Sequence, residues 1–433
     1  MQRSAPGSFV RLGVFALASA AILFVAFCLS PVVRADDQIK NNITQLIGLG
    51  HKFLGSASCK SCHGDPAGDP GSPAKRGSEY TVWSTLDKHH ESFTTLSSDQ
   101  SKAIATKGGY GDPTASVTCL ACHSVNVPAA QQGGDFKVAD GNSCEVCHGP
   151  AELWSGSDGS PHKNKGWAQK RRDADGFDPV KQAAADGFWD VRSPGLRADN
   201  CASCHLAIDA KMIAAGHPQP VFELNEYASY EPAHWTDKHG DQYFTQLWAA
   251  GQIVCARDAM NELAKRIGES DPAAAVTDEY NQAMAHASML QILVDADSGV
   301  GSEVKDDVDK AMTTLAAGPN AAAATTVAGD ADKVFTADLA GFAPDAAATG
   351  ALLDKVIAGS GDLTTKYGRR GAEQAAYAAR WLYLSKAWDA DPKHALPDDL
   401  VAEYKGFFDN RAAPLGDDAA KFADAIAKIK ANP

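Results

Sequence analysis

Between His51 and His205 the chain is short of the residues that build a core. Only 20 of those 155 residues are Leu, Ile, Val, Phe or Met. That share falls below the roughly 20% under which a charged chain is expected to stay disordered. Too little apolar surface is available there to offset chain entropy. A basic excess is also lacking, with Lys+Arg 40 against Asp+Glu 54 and a net charge of −14. Nucleic acid is therefore excluded as the main partner, because phosphate binding needs a basic face. After residue 35 no run is long and apolar enough to span a bilayer. No Walker loop, dinucleotide fingerprint, hydrolase elbow or EF-hand loop is present.

What is present is cysteine and histidine. Eight of the ten cysteines fall in four C-x-x-C pairs, and a histidine follows every pair. The motifs are Cys59, Cys62, His63; Cys119, Cys122, His123; Cys144, Cys147, His148; and Cys201, Cys204, His205. This is the attachment pattern of c-type haem. Two cysteines on one helical turn can each form a thioether to one porphyrin, and the next histidine becomes the axial ligand of its iron. One such pair alone could be a disulfide, a redox dithiol or half a zinc site. Cys119, Cys122, Cys144 and Cys147 could even pass for a zinc ribbon. With 13 histidines in 433 residues, four chance histidines at these positions have odds of roughly one in a million. Four covalent haems c also account for the missing core, since porphyrin is apolar.

The first 35 residues read as a secretory signal peptide. Arg3 and Arg11 precede an apolar run from Leu12 to Leu29, and Val33-Arg34-Ala35 ends in a small-x-small pattern. The run is long for a signal, and an uncleaved anchor is the alternative. Cleavage removes three arginines and no acid, taking the net charge to −17. The expected location is extracytoplasmic or periplasmic, a compartment that suits haem attachment.

After about residue 245 the pattern becomes helical. Ile253, Ala256, Met260, Leu263 and Ile267 recur at helical spacing, as do Tyr280, Met284, Ala287 and Leu290. Tyr377, Trp381, Leu384 and Trp388 repeat it, and so do Phe422, Ile426 and Ile429. Residues 295–362, rich in Ala, Gly and Asp, are expected to hold only short helical pieces. The unpaired Cys255 reads as a small buried hydrophobe. The expected fold is mainly α: a signal at 1–35, a tetrahaem domain of short helices and loops at 36–245, and an antiparallel helical bundle at 246–433.

The motif order resembles the tetrahaem cytochrome family that includes the electron acceptor of hydroxylamine oxidoreductase in nitrifying bacteria. The resemblance covers about residues 53–236. It runs through FLGSASCKSCH, EYTVWSTLDKHHESFTTL, CLACH, GNSCEVCHGPAELW, CASCH and MIAAGHPQPVFEL…PAHW. It implies distal histidines drawn from elsewhere in the chain and haems stacked in close pairs. His89, six after Trp83, then serves the third haem, on His148, with its neighbour His90, which faces another side of the helix, as the alternative. His162 serves the fourth, on His205, and His217 the first, on His63. For the second, on His123, the family centre resembles an open one; here His234 or His51 is placed to close it. The long C-terminal half departs from the family protein.

Asp87, Glu91 and Glu145 read as surface acids, with hydrogen bonds to imidazoles as the alternative. Lys163, Lys165, Lys170, Arg171 and Arg172 form a basic cluster on what reads as a solvated loop. The implied function is electron relay between redox protein partners, with docking to a membrane-bound respiratory complex as one form of it. The competing reading is an oxidoreductase acting on a small nitrogen or sulfur compound at an open haem on His123. Changing Cys144 and Cys147 to Ala is expected to lower the haem count from four to three; an unchanged iron content contradicts the assignment.

Overall fold

The computed structural model describes residues 47–66, 75, 77–155, 186–233, 242–296, 300–337 and 339–390. All of them belong to the compact unit Lys40–Pro433. The expectations for 1–35, for His162 and His234, for the basic cluster and for Phe422, Ile426 and Ile429 fall outside them. Among the described residues the fold is mainly α. Extended pairing is confined there to one parallel bridge, between Phe53 and Gln132.

The motif-bearing half is built from short helices. They are α1 (Lys60–His63), α2 (Glu79–Leu86), α3 (Ser92–Thr95), α4 (Asp99–Gly108), α5 (Val117–His123), α6 (Cys144–His148), α7 (Pro194–His205), α8 (Ala210–Ala215) and α9 (Leu224–Tyr230). Long helices follow: α10 (Tyr243–Gly268), α11 (Ala273–Asp295), α12 (Lys305–Leu315), α13 (Ala321–Ala337) and α14 (Ala346–Ala390). No described helix is long and apolar enough to cross a membrane.

The long helices bury the residues whose spacing announced them. Ile253, Ala256, Met260 and Leu263 of α10 and Met284, Ala287 and Leu290 of α11 are all fully buried. Cys255 lies among them, also fully buried. The four residues 269–272 join α10 to α11, so the packed pair runs antiparallel. Residues 295–362 are more helical than expected. The 17-residue α13 presents Ala324, Val327, Ala331 and Val334 to the core. Alanine has the highest helix propensity, and its small side chain lets two backbones approach closely. Within α14 the chain breaks at Gly368, where φ 56° and ψ −137° lie outside the region open to other residues.

One buried core crosses residue 245. Ala198, Ala202, Leu206, Phe222 and Leu224 join the residues of α10, α11, α13 and α14 in a single cluster. Polar anchors reinforce the junction. Arg266 of α10 is 1% exposed and donates to the Ile208 carbonyl at 2.6 Å, while pairing with Glu279 of α11 at 3.2 Å. Arg380 and Trp381 of α14 both donate to Glu226 of α9, at 2.8 and 3.2 Å. By contrast, the cluster beside the first three motifs has only Phe53, Val125 and Val127 at its centre.

Gly251 marks how closely the two halves meet. A Cβ placed there would sit 2.9 Å from Leu224 Cβ. The Gly251→Val variant is expected to lose about 2 kcal/mol by overpacking. Thermal unfolding followed by haem absorbance and by helical circular dichroism should shift together; a shift in only one signal contradicts a shared core.

Candidate haem-binding site

Each of the four motif histidines is the last residue of its helix, α1, α5, α6 or α7. The two cysteines of each motif therefore share one helical turn, and the imidazole leaves from its end. The described cysteines are all free, with no disulfide among them. The zinc-ribbon grouping does not form. Cys144 lies beside Cys59 of the first motif, and Cys122 beside Cys204 of the fourth, each thiol shifting its neighbour's ionisation. Among the described residues the only group of three or more potential metal ligands is Asp87, His89 and Glu231.

These thiol pairs relate the motifs in an order the sequence does not follow. The first motif lies beside the third at Cys59 and Cys144, and the second beside the fourth at Cys122 and Cys204. Asn200, on α7, donates to Cys147 Sγ at 3.6 Å and so joins the third to the fourth. Motifs two and three, neighbours in sequence, are joined by a side chain: the Asn142 amide Nδ2 donates to the Cys122 carbonyl at 2.7 Å.

Glu145 fastens the first pair. It lies inside the third motif yet is 1% exposed, so the surface-acid reading is overturned. Its carboxylate accepts from the backbone N–H groups of Leu54, Gly55 and Ala151, each at 2.8 Å. Burial pushes its pKa up, against those three bonds. Gly55 must be glycine: φ is 95°, and a Cβ would meet the Asp135 carbonyl oxygen at 2.3 Å.

Hydrogen bonds at Nδ1 set the imidazoles. His63 Nδ1 pairs with Glu79 at 2.8 Å, and His123 Nδ1 with the Ser92 carbonyl at 3.0 Å. His89 Nδ1 meets Asp87 at 3.0 Å, and His217 Nδ1 the Pro218 carbonyl at 2.8 Å. Each of these acceptors fixes the ring and leaves Nε2 for a metal, as partners of metal-bound histidine do. Asp87, 4% exposed, thus serves an imidazole and is not a surface acid. Glu91 is exposed and bonds Lys88. Burial opposes charge on His89, but Asp87 and Glu231 outweigh it and raise its pKa. Burial, with His89 and His123 nearby, lowers His205 to about 4.

The structure brings together two histidine pairs that differ from those the resemblance implies. His89 lies against His205, with ring centres 6.1 Å apart, rather than against His148. His217 lies against His123 at 6.4 Å rather than against His63. Two imidazoles that share one metal through Nε2, at bonds of about 2 Å, hold their ring centres about 6 Å apart. Their planes cross at 71° and 74°, which axial ligands tolerate because each ring can turn about its own metal bond. His90 faces Trp83 instead, at 6.0 Å. His148 stacks on Phe188 at 5.8 Å, and His205 packs on Tyr227 at 4.7 Å. His51 presents its carbonyl to Gln131 at 3.2 Å. Thiols in pairs, imidazoles with Nδ1 already bonded and ring pairs at this spacing together fit haem c.

Residues 58–149 match the family model of cytochrome c554 and c-prime. The match supports a c-type cytochrome. It spans the first three motifs and implies covalently bound haem c and electron transfer. No curated protein and no solved structure matches the chain.

Sequence reasoning missed Glu79 and Ser92 as partners of the His63 and His123 imidazoles, and Phe222 and Tyr227 as walls beside His205. Glu79 opens the EYTVW stretch, but nothing in that stretch ties it to His63, sixteen residues earlier. Glu145→Ala leaves three backbone N–H groups without an acceptor and is expected to cost about 3 kcal/mol. A lowered thermal midpoint of the haem-loaded protein checks this; an unchanged midpoint contradicts the clamp.

Proposed function

We propose that the chain is an exported tetrahaem c-type cytochrome that relays electrons between redox protein partners outside the cytoplasm. One observation carries this reading: thiols of different motifs lie near enough to bias each other's ionisation, Cys59 beside Cys144 and Cys122 beside Cys204. Groups attached at adjacent thiols are themselves adjacent, and short edge-to-edge distance is what a relay requires. When bound, haem c supplies reversible one-electron chemistry at its iron. The eight cysteines would hold the four groups, and His63, His123, His148 and His205 would each offer one nitrogen to an iron.

Within this reading, Asn200 links the two stacked pairs through Cys147, giving a path in the order first, third, fourth, second. His89 would offer the second nitrogen opposite His205. His162 and His234 would serve among the remaining distal ligands. Glu79 and Asp87 hold imidazole protons and tune the potentials of the irons those rings serve. Val117, two residues before Cys119, is 63% exposed and offers an apolar edge where a partner can dock. The net charge of −14 favours a partner with a basic face. A membrane-bound respiratory complex is one such partner.

The test is a reductive titration of protein recovered from the periplasmic fraction. Uptake of four electrons per chain, reversed by oxidant, is the expected result. Fewer electrons, or recovery from the cytoplasmic fraction, overturns the proposal.

A further inference from the structure

We propose that His217 closes the iron on His123, so that the second haem has no open coordination position in this chain. The inference rests on the four-haem reading above and adds to it that the chain carries electrons without binding a small substrate at that centre.

Three observations support it independently. The His217 and His123 ring centres lie 6.4 Å apart with their planes at 74°, a spacing that two imidazoles on one metal would also have. Both Nδ1 atoms face backbone carbonyls, Pro218 for His217 and Ser92 for His123. A carbonyl only accepts, so each Nδ1 carries the proton and each Nε2 keeps its lone pair. Finally, the local fold is built to place the ring. Asp209 caps α8 by accepting from the Lys211 and Met212 N–H groups, and Gly216 ends it at φ 111°. The His217 N–H then donates to the Met212 carbonyl, which fixes the backbone where the imidazole leaves. α8 packs on α4, so this terminus is anchored to the body of the haem half. The same geometry recurs at His89 and His205, at 6.1 Å. Two imidazoles on one iron give a saturated low-spin centre.

The experiment compares wild-type protein with His217→Ala, each loaded with haem, by spin-state spectroscopy and cyanide binding. Haem content is counted first, so that failure of the four-haem reading is seen as a wrong count before any spin state is measured. Wild-type ferric protein is expected to leave the second haem low-spin and closed to cyanide. His217→Ala is expected to gain one high-spin haem and one equivalent of bound cyanide per chain, and added imidazole should reverse both. His217→Met preserves a ligand and is expected to stay low-spin with the absorption band of a thioether-bound iron. Removing the second haem from His217→Ala by changing Cys119 and Cys122 to Ala should abolish the high-spin signal. Survival of that signal assigns His217 to another iron and overturns the proposal. An unchanged spectrum in His217→Ala, or cyanide binding at the second haem of wild-type protein, overturns it as well.

Discussion

The fold depends on one constraint: the amino-terminal half does not encode enough apolar surface to close a core. Its described apolar cluster centres on Phe53, Val125 and Val127, while the cluster of the long helices draws on dozens of buried side chains. Short helices of four to twelve residues are marginal alone and need packing to persist. In a chain with four C-x-x-C-H motifs, the natural supplier of that packing surface is the porphyrin itself. The fourth motif is the exception. It sits on α7, whose Ala198 and Ala202 belong to the bundle core, so the helical half grips the haem half at that motif.

An acidic chain uses several of its carboxylates inward. Glu145 gathers three backbone N–H groups between the first and third motifs. Glu79 and Asp87 hold the Nδ1 of His63 and His89. Glu226 receives Arg380 and Trp381 from α14. A buried carboxylate is costly unless its oxygens are bonded, and each of these is bonded. The acids thus position ring nitrogens and loops where neutral side chains would leave N–H groups unmatched.

Much of this was legible in the residues. The motif cysteines and histidines follow from spacing alone, and the faces of α10 and α11 follow from periodicity. Cys255 was legible from its place on an apolar helix. The histidine pairs were not, because His89 and His205 are separated by more than a hundred positions and only tertiary packing brings them together. His123 and His217, more than ninety positions apart, likewise meet only through tertiary packing. Glu145 looks like a surface acid in sequence, since nothing local reveals that Leu54, Gly55 and Ala151 converge on it. The length of α13 was hidden by its composition: alanine gives little hydrophobic contrast between faces, so periodicity is faint where helix propensity is high.

The account is tested most directly by amide hydrogen exchange on haem-loaded chain and on a chain whose eight motif cysteines are changed to Ala. With porphyrin acting as interior, the loss of attachment should remove protection from residues 51–155 while α10, α11 and α13 stay protected. Equal protection of residues 51–155 in both chains would contradict it, because that segment would then be shown to build its own core.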